Sequence, residues 1–226
     1  MNSRIRIIVL VIICTLFLGC KKDTSVFRVR GCLISADGSD VEMKVVVENE
    51  SGDCMTGAVV LATDSSNDVT ILDYDSDLCC YSATVDGLEE NTYTIQVDSV
   101  SIGEIITLKI PHTRLMNKPV LVSLTDSKGN SVLSGATLSM DSSFYAAWDS
   151  CGENVVYKIA IKSPLETVWS SSSSSTNIEI PPNILKTGIY YFYITAQKIY
   201  GDPYFSSSNY YSVSSIQSSG IQFYAE

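Results

Sequence analysis

The chain has 226 residues, with 25 acidic and 15 basic side chains, a formal net charge of −10 and one histidine. This charge excludes nucleic-acid binding, because phosphate contacts require concentrated lysine and arginine. One histidine, with no Cys-x-x-Cys pair in the sequence, also excludes a zinc site of histidine and cysteine ligands. The length is enough for one large domain or two small ones.

The first twenty residues have the order of a secretory signal. Two arginines precede a largely apolar run from Ile7 to Leu18, which is too short to cross a bilayer that takes about 20 apolar residues. The segment ends in Leu16-Phe17-Leu18-Gly19-Cys20, which resembles the lipobox of bacterial lipoproteins. The resemblance implies a cleaved signal peptide over residues 1–19, a lipid on Cys20 and a tether over residues 20–25. An uncleaved anchor and an ordinary signal peptide are the alternatives.

The same resemblance implies where the mature protein is attached. Lys21 follows the cysteine, whereas an aspartate there retains some lipoproteins in the inner membrane, so we expect the outer membrane, with surface-facing and periplasmic orientations both open. Cleavage removes Arg4 and Arg6 and takes the net charge from −10 to −12. Membrane attachment must therefore come from the acyl chains rather than from attraction to anionic lipid.

The first half of the mature chain alternates between apolar and polar residues. Val41, Met43, Val45 and Val47 occupy every second position of one segment, and a second such segment runs from Thr92 to Asp98. Strict alternation indicates strands with one buried and one solvated face. The pattern predicts a β-sandwich over residues 26–110, and residues 111–119, with a proline at each end, are the predicted linker.

The second half continues with short strand-like segments, predicted at 120–124, 144–148, 155–162, 178–180 and 189–197. Leu185 is followed by Tyr190, which opens a long alternating strand, and Leu88 and Tyr93 have the same spacing in the first half. With Trp148 and Tyr157, this pattern resembles a fibronectin type III domain over about residues 118–215, and the first half resembles the same immunoglobulin-like superfamily from Tyr81 to Val97. The predicted fold class is all-β, with two tandem immunoglobulin-like or fibronectin type III-like sandwiches, the second over residues 120–226.

The strand at 189–197 contains the first candidate binding residues. If Tyr190, Phe192 and Ile194 face the core, then Tyr191 and Tyr193 face outward, and the alternation at 155–162 places Lys158 and Lys162 outward on a neighbouring strand. Exposed tyrosines suit protein contacts and stacking against sugars. Cross-strand packing is the alternative role for the same tyrosines.

Three alternating aspartates, Asp73, Asp75 and Asp77, form a weak candidate for calcium. Hard oxygen ligands at this spacing resemble the start of a calcium loop, but Leu78 stands where the turn glycine is needed and Thr84 where the closing glutamate is needed. A solvated acidic loop is the preferred interpretation, and no other cofactor is expected.

Five cysteines remain after export and lipidation: Cys32, Cys54, Cys79, Cys80 and Cys151. The odd number leaves at least one thiol without a partner in the chain. A disulfide from Cys54 to Cys79 or Cys80 is compatible with an oxidising compartment, and the sequence does not decide the pairing.

Catalysis has little support in the sequence. His112 falls in the predicted linker, no Gly-x-Ser-x-Gly elbow is present, and the paired acids Glu89 and Glu90 read as exposed turn residues. The six serines at 170–175 are predicted to form a flexible surface loop. We therefore expect a non-catalytic, lipid-anchored recognition or adhesion module that binds a protein or a glycan. An accessory glycan-binding lipoprotein of a polysaccharide-uptake system and a structural spacer are the alternatives.

Overall fold

The structure is a computed structural model that describes residues 27–226 except 88, 100–102, 104 and 133–136. In these residues it contains sixteen strands and no helix, so the prediction of an all-β fold is confirmed. The strands are Arg28–Ala36 (β1), Val41–Glu48 (β2), Val59–Thr63 (β3), Val69–Asp75 (β4), Cys80–Val85 (β5), Glu90–Asp98 (β6), Ile106–Thr113 (β7), Leu121–Asp126 (β8), Thr137–Leu138 (β9), Phe144–Trp148 (β10), Val155–Lys162 (β11), Thr167–Ser173 (β12), Asn177–Ile180 (β13), Gly188–Gly201 (β14), Tyr210–Gln217 (β15) and Ile221–Ala225 (β16).

Strands β1 to β7 form the first sandwich. One layer has the order β1-β2-β5-β4 and the other has the order β4-β3-β6-β7, because β4 belongs to both. Its residues 69–72 pair with β3, and its residues 73–75 pair with β5. The alternating segment at 41–47 turns Val41, Met43, Val45 and Val47 inward, each 1% exposed or less, as its pattern predicts.

Strands β8 to β16 form the second sandwich. Its smaller layer has the order β13-β10-β8, and the other begins with the order β12-β11-β14. On its other side, β14 pairs with β16 through residues 188–192 and with β15 through residues 195–201. This is the two-layer arrangement expected for a fibronectin type III-like domain. Trp148 on β10 contacts Tyr157 on β11 edge-on, with 5.4 Å between ring centroids.

The two sandwiches share a continuous sheet. Strand β15 of the second sandwich pairs in parallel with β1 of the first, from Gly31 opposite Tyr210 to Ala36 opposite Ser215. Side chains add to this junction, since the Thr113 and Tyr200 hydroxyls lie 2.7 Å apart and the Arg30 guanidinium lies 5.5 Å from the centroid of the Phe205 ring. The backbone ladder and these contacts hold one sandwich against the other.

The buried apolar residues form two clusters. One contains inward residues from Val29 to Ile110, and the other extends from Leu115 to Ala225. Leu115 lies in the predicted linker yet packs into the second cluster, 4% exposed, and its N–H donates to the Ser214 hydroxyl at 2.8 Å. The connection between the sandwiches is therefore itself anchored.

Two sequence predictions are wrong in detail. Residues 111–113, predicted as part of the linker, complete β7, because β7 is the last strand of its layer and an edge strand tolerates Pro111. Ser170 to Ser173, predicted as part of a flexible surface loop, belong to β12, which pairs with β11. Backbone pairing does not require apolar side chains, and Trp169 provides the contact of β12 with the core.

Candidate functional site

A tyrosine corner positions the strand that carries the candidate tyrosines. Tyr190 at the start of β14 is 6% exposed, and its hydroxyl donates to the Lys186 carbonyl oxygen at 2.9 Å. The Tyr190 hydroxyl oxygen also accepts from the Lys186 N–H at 3.0 Å. The spacing of Leu185 and Tyr190 predicts this corner, which ties the connection between β13 and β14 to the strand.

Tyr191, Tyr193, Lys158 and Lys162 all lie on one outer face of the second sandwich, which we call the tyrosine–lysine face. Phe192 and Ile194 are fully buried, so the tyrosines that alternate with them point away from the core and are partly exposed. Lys158 is exposed and Lys162 is partly exposed on β11. Lys162 lies opposite Tyr191 across the ladder.

Tyr193 is held in place within this face. The Lys162 ammonium nitrogen lies 5.0 Å from the centroid of its ring, a cation–π distance. Gly220 contacts the phenol end of the ring so closely that a Cβ at residue 220 would lie 2.8 Å from Cε1, Cζ and Oη of Tyr193. Ala160 lies opposite Tyr193 on β11.

The charge of the face differs from that of the rest of the chain. Lys158 and Lys162 lie on this face, and strands β11 and β14 contain no acidic residue, whereas the whole chain has a net charge of −10. Among the described residues, neither Lys158 nor Lys162 forms an ion pair. The face therefore presents uncompensated positive charge beside two tyrosine rings.

The three candidate calcium ligands are not gathered around a common point. Asp75 Oδ1 accepts from the N–H groups of Asp77 at 2.9 Å and Leu78 at 3.1 Å, which fixes the turn between β4 and β5. Asp73 is exposed on β4. Within the described part of the chain, no group of three histidine, cysteine or acidic side chains is arranged to hold a metal ion.

The cysteines divide into one disulfide and three thiols in the described residues. Cys54 is bonded to Cys79, which decides the pairing that the sequence left open. Cys32, Cys80 and Cys151 are free. Burial raises the pKa of each of these three thiols, so they remain protonated and weakly nucleophilic at neutral pH.

His112 has a role that the sequence does not indicate. It lies in β7, 1% exposed, with Nε2 3.0 Å from the Ser35 hydroxyl and Nδ1 2.8 Å from the Ser212 hydroxyl. Burial, and to a lesser extent Arg114, lowers its pKa to about 4. A neutral imidazole donates to one serine and accepts from the other, which satisfies both ring nitrogens.

This serine–histidine–serine cluster joins the two sandwiches rather than facing solvent. Ser35 is 1% exposed and Ser212 is fully buried, so a substrate does not reach either hydroxyl. A nucleophile must reach the substrate in order to attack it. The cluster therefore acts as a hydrogen-bonded junction. No sequence motif marks it, since its members come from β1, β7 and β15.

A surface cleft of about 390 Å³ lies at one end of the second sandwich. It is lined by Ser150, Asn154, Tyr157 and Thr176 among others, and by no carboxylate, histidine or cysteine. The Tyr157 hydroxyl accepts from the Cys151 N–H at 2.9 Å, so it already serves the fold. The cleft offers no acid–base pair to a substrate.

The predicted signal peptide and Cys20 lie outside the described residues. In the part of the chain that the structure describes, no helix has the length and apolar character needed to cross a bilayer. The lipid anchor therefore stays a prediction from the sequence.

No protein-family profile matches the sequence, and no curated protein matches it. Among solved structures, the chain is similar to the fibronectin(III)-like modules of Clostridium thermocellum CbhA, with 14% identity, a TM-score of 0.39 and coverage of 85% of this chain and 92% of that chain. It is also similar to a Salmonella alpha-2-macroglobulin mutant, with 7% identity, a TM-score of 0.33 and coverage of 89% of this chain but 15% of that chain.

Proposed function

We propose that this protein is a non-catalytic recognition or adhesion module, anchored in the outer membrane by a lipid on Cys20. The observation that carries the binding role is the packing of the Tyr193 ring, which contacts Gly220 and has the Lys162 ammonium 5.0 Å from its centroid. A side chain that is already ordered loses little conformational entropy when a partner binds. Tyrosine is also among the residues enriched at protein interfaces.

The charge of the tyrosine–lysine face supports a negatively charged ligand. Lys158 and Lys162 project from strands that carry no acidic residue. Electrostatic complementarity speeds encounter and selects partners. An acidic protein surface or an acidic glycan has the required charge.

Of these two ligands, a protein is favoured, because the ring of Tyr193 already has a lysine over it. Sugar stacking requires an open aromatic face, and Lys162 already lies over the ring of Tyr193. A protein contact uses the edges and hydroxyls of both tyrosines as well as their faces. A glycan remains the alternative ligand for the same face, as in an accessory lipoprotein of polysaccharide uptake.

The binding role is tested with the full chain in detergent. Beads coated with the protein are assayed for adhesion to cells, and the free protein is applied to a glycan array that includes acidic glycans. The double variant Tyr191→Ala, Tyr193→Ala is expected to lose adhesion by about tenfold or more, since aromatic anchors dominate interface energies. Tyr145→Ala with Tyr204→Ala is the matched control, because these tyrosines are 44% and 87% exposed elsewhere on the molecule.

The outcomes of this test separate the candidate functions. Adhesion that is lost only in the Tyr191, Tyr193 variant supports the recognition role. Array binding that is lost in the same variant identifies the ligand as a glycan. Equal adhesion by both double variants, with no array binding, contradicts the recognition role.

The lipid anchor is tested separately. Cells grown with an alkyne fatty acid are expected to label the native chain and the Cys14→Ser variant, but not the Cys20→Ser variant, because the lipid is attached through the sulfur of Cys20. Labelling of Cys20→Ser would contradict the anchor.

A structural spacer is the second candidate function, and the junction favours it. The parallel pairing of β1 with β15 and the buried cluster of Ser35, His112 and Ser212 fix the two sandwiches relative to each other. A rigid pair of domains holds an attached partner at a constant distance from the membrane.

A further inference from the structure

Strand β4 has a free edge in the first sandwich. Its residues 69–72 pair with β3 on one side, whereas β5 pairs with β4 only from Asp73 onward. Among the described residues, no strand lies on the other side of residues 69–72. Unpaired N–H and C=O groups along such an edge can pair with another chain.

The outer face beside this edge is apolar. Val69 is 54% exposed and Ile71 is 65% exposed. Leu61 on β3 lies opposite Ile71, and Val59, 46% exposed, lies at the end of the same strand. Most exposed apolar residues occur singly, so a row along a free strand edge is characteristic of a contact surface.

An acidic cleft of about 290 Å³ lies beside the same edge, between β4 and β5. Asp64, Asp68 and Asp86 line it together with Thr70 and Thr84, and no basic residue lines it. The buried residues Met43 and Tyr93 also line the cleft. The free edge therefore has an apolar surface on its outer side and three carboxylates on its inner side.

We propose that the free edge of β4 binds an extended segment of a partner protein in which apolar residues alternate with lysine or arginine. A strand added to a sheet edge makes backbone hydrogen bonds, and its side chains point alternately to the two sides. One set would lie on the outer face beside Val69 and Ile71. The other set would point into the cleft toward Asp64, Asp68 and Asp86, where positive charge is required.

Charge complementarity distinguishes this partner from a second copy of the chain. Asp64 and Asp68 precede the free edge, and Asp73 and Asp75 follow it. A second copy paired along the edge would bring the same carboxylates into the same space, and like charges across strands are destabilising. The surface lies on the first sandwich and does not depend on the role proposed for the tyrosine–lysine face.

The proposal is tested with a fluorescein-labelled peptide of eight residues in which valine and lysine alternate. Binding to the full chain is measured by fluorescence anisotropy. A peptide of the same composition, with four valines followed by four lysines, is the control for attraction by net charge alone. The alternating peptide is expected to bind at least about tenfold more tightly than the block peptide, because only its side chains match both sides of the edge.

Variants of the protein locate the site. Asp68→Asn with Asp86→Asn, and separately Ile71→Ser, are each expected to weaken binding by about tenfold. Asp141→Asn with Glu153→Gln is the matched control for charge, and Val122→Ser, at a position 57% exposed on β8, is the matched control for apolar surface. Both controls are expected to bind like the native chain. Thermal unfolding of each variant checks that the fold is retained.

Hydrogen exchange provides a second readout. The alternating peptide is expected to slow exchange of amides in residues 69–72, because an added strand pairs with the free edge. The proposal is overturned if no saturable binding occurs up to about 1 mM peptide, if the block peptide binds equally well, or if the control variants lose as much affinity. Dimerisation of the native chain that Ile71→Ser abolishes would also overturn it, since a second copy would then occupy the edge.

Discussion

At the scale of single residues, folding changes the acid–base behaviour of His112. The imidazole is 1% exposed between two serine hydroxyls, and burial lowers its pKa to about 4. The usual pKa near 6.5 applies in the unfolded chain. The folded protein therefore binds fewer protons at this site than the unfolded chain between these two values.

This difference predicts a loss of stability in acid. As the pH falls from 6.5 to 4, the unfolded chain takes up a proton that folded His112 does not, so the free energy of unfolding is expected to fall by up to about 3 kcal/mol. Urea unfolding of the native chain and of His112→Gln at pH 7 and pH 4 measures the effect. The stability gap between the two proteins should shrink in acid, and an unchanged gap would contradict the prediction.

A second residue-scale prediction concerns Gly201, at the end of β14. Its φ of +74° is a backbone conformation that residues with a side chain rarely adopt. A Cβ at residue 201 would also overlap the carbonyl oxygen of Tyr210. Gly201→Ala is expected to cost about 3 kcal/mol of unfolding free energy. Gly52→Ala is the control, with a φ of +85° and open space around it, and is expected to cost about 1 kcal/mol. Equal losses in denaturant unfolding would contradict the steric explanation.

At the scale of elements, the alternation within a strand predicts which face is buried, but it predicts less well where the strand begins and ends. Strands β10 and β11 have the predicted bounds, and Tyr190 forms the predicted corner. By contrast, the sequence pattern does not predict β12, because four of its seven residues are serine, and β7 extends past Pro111, the predicted start of the linker. In both strands, pairing with a neighbour overrides weak local preference.

The tyrosine corner leads to an element-scale prediction. Tyr190→Phe removes the partner of the Lys186 N–H and C=O groups and is expected to lower the free energy of unfolding by about 1–2 kcal/mol. Tyr191→Phe, one residue further along the same strand, is the control and is expected to change stability by less than about 0.5 kcal/mol. Chemical denaturation followed by tryptophan fluorescence compares the two, and equal effects would exclude a special role for the corner.

At the scale of the whole molecule, the two sandwiches are joined by one continuous sheet. Strand β1 lies between β2 of its own sandwich and β15 of the other. Loss of β1 would therefore leave β2 of the first sandwich and β15 of the second without a pairing partner on that side. Cooperative unfolding is the expected consequence of such sharing.

Calorimetry tests this coupling. The native chain is expected to unfold in a single transition, and Leu33→Ala in the first core should lower its midpoint without splitting it. Leu124→Ala, also fully buried but in the second core, is the matched variant and should do the same. Each truncation is expected to cost about 3 kcal/mol. Two separate transitions, with each variant shifting only one of them, would contradict the coupling.

For the candidate sites too, features set by alternation within one strand were predicted, whereas contacts between residues far apart in the sequence were not. Alternation along β14 and β11 predicted the outward positions of Tyr191, Tyr193, Lys158 and Lys162. It did not predict that Gly220, from the turn between β15 and β16, would pack against Tyr193. Alternation did not predict the free edge of β4 either, because that edge depends on where β5 stops pairing with β4.

The sequence by itself determined the all-β class, the inward faces of the strands and the tyrosine corner, because these follow from alternation and spacing within a few residues. Only the tertiary structure decided that β15 joins β1 and that His112 lies between Ser35 and Ser212, which are 77 and 100 residues away from it along the chain. Contacts over such separations depend on how whole layers pack. No local pattern in the sequence encodes them.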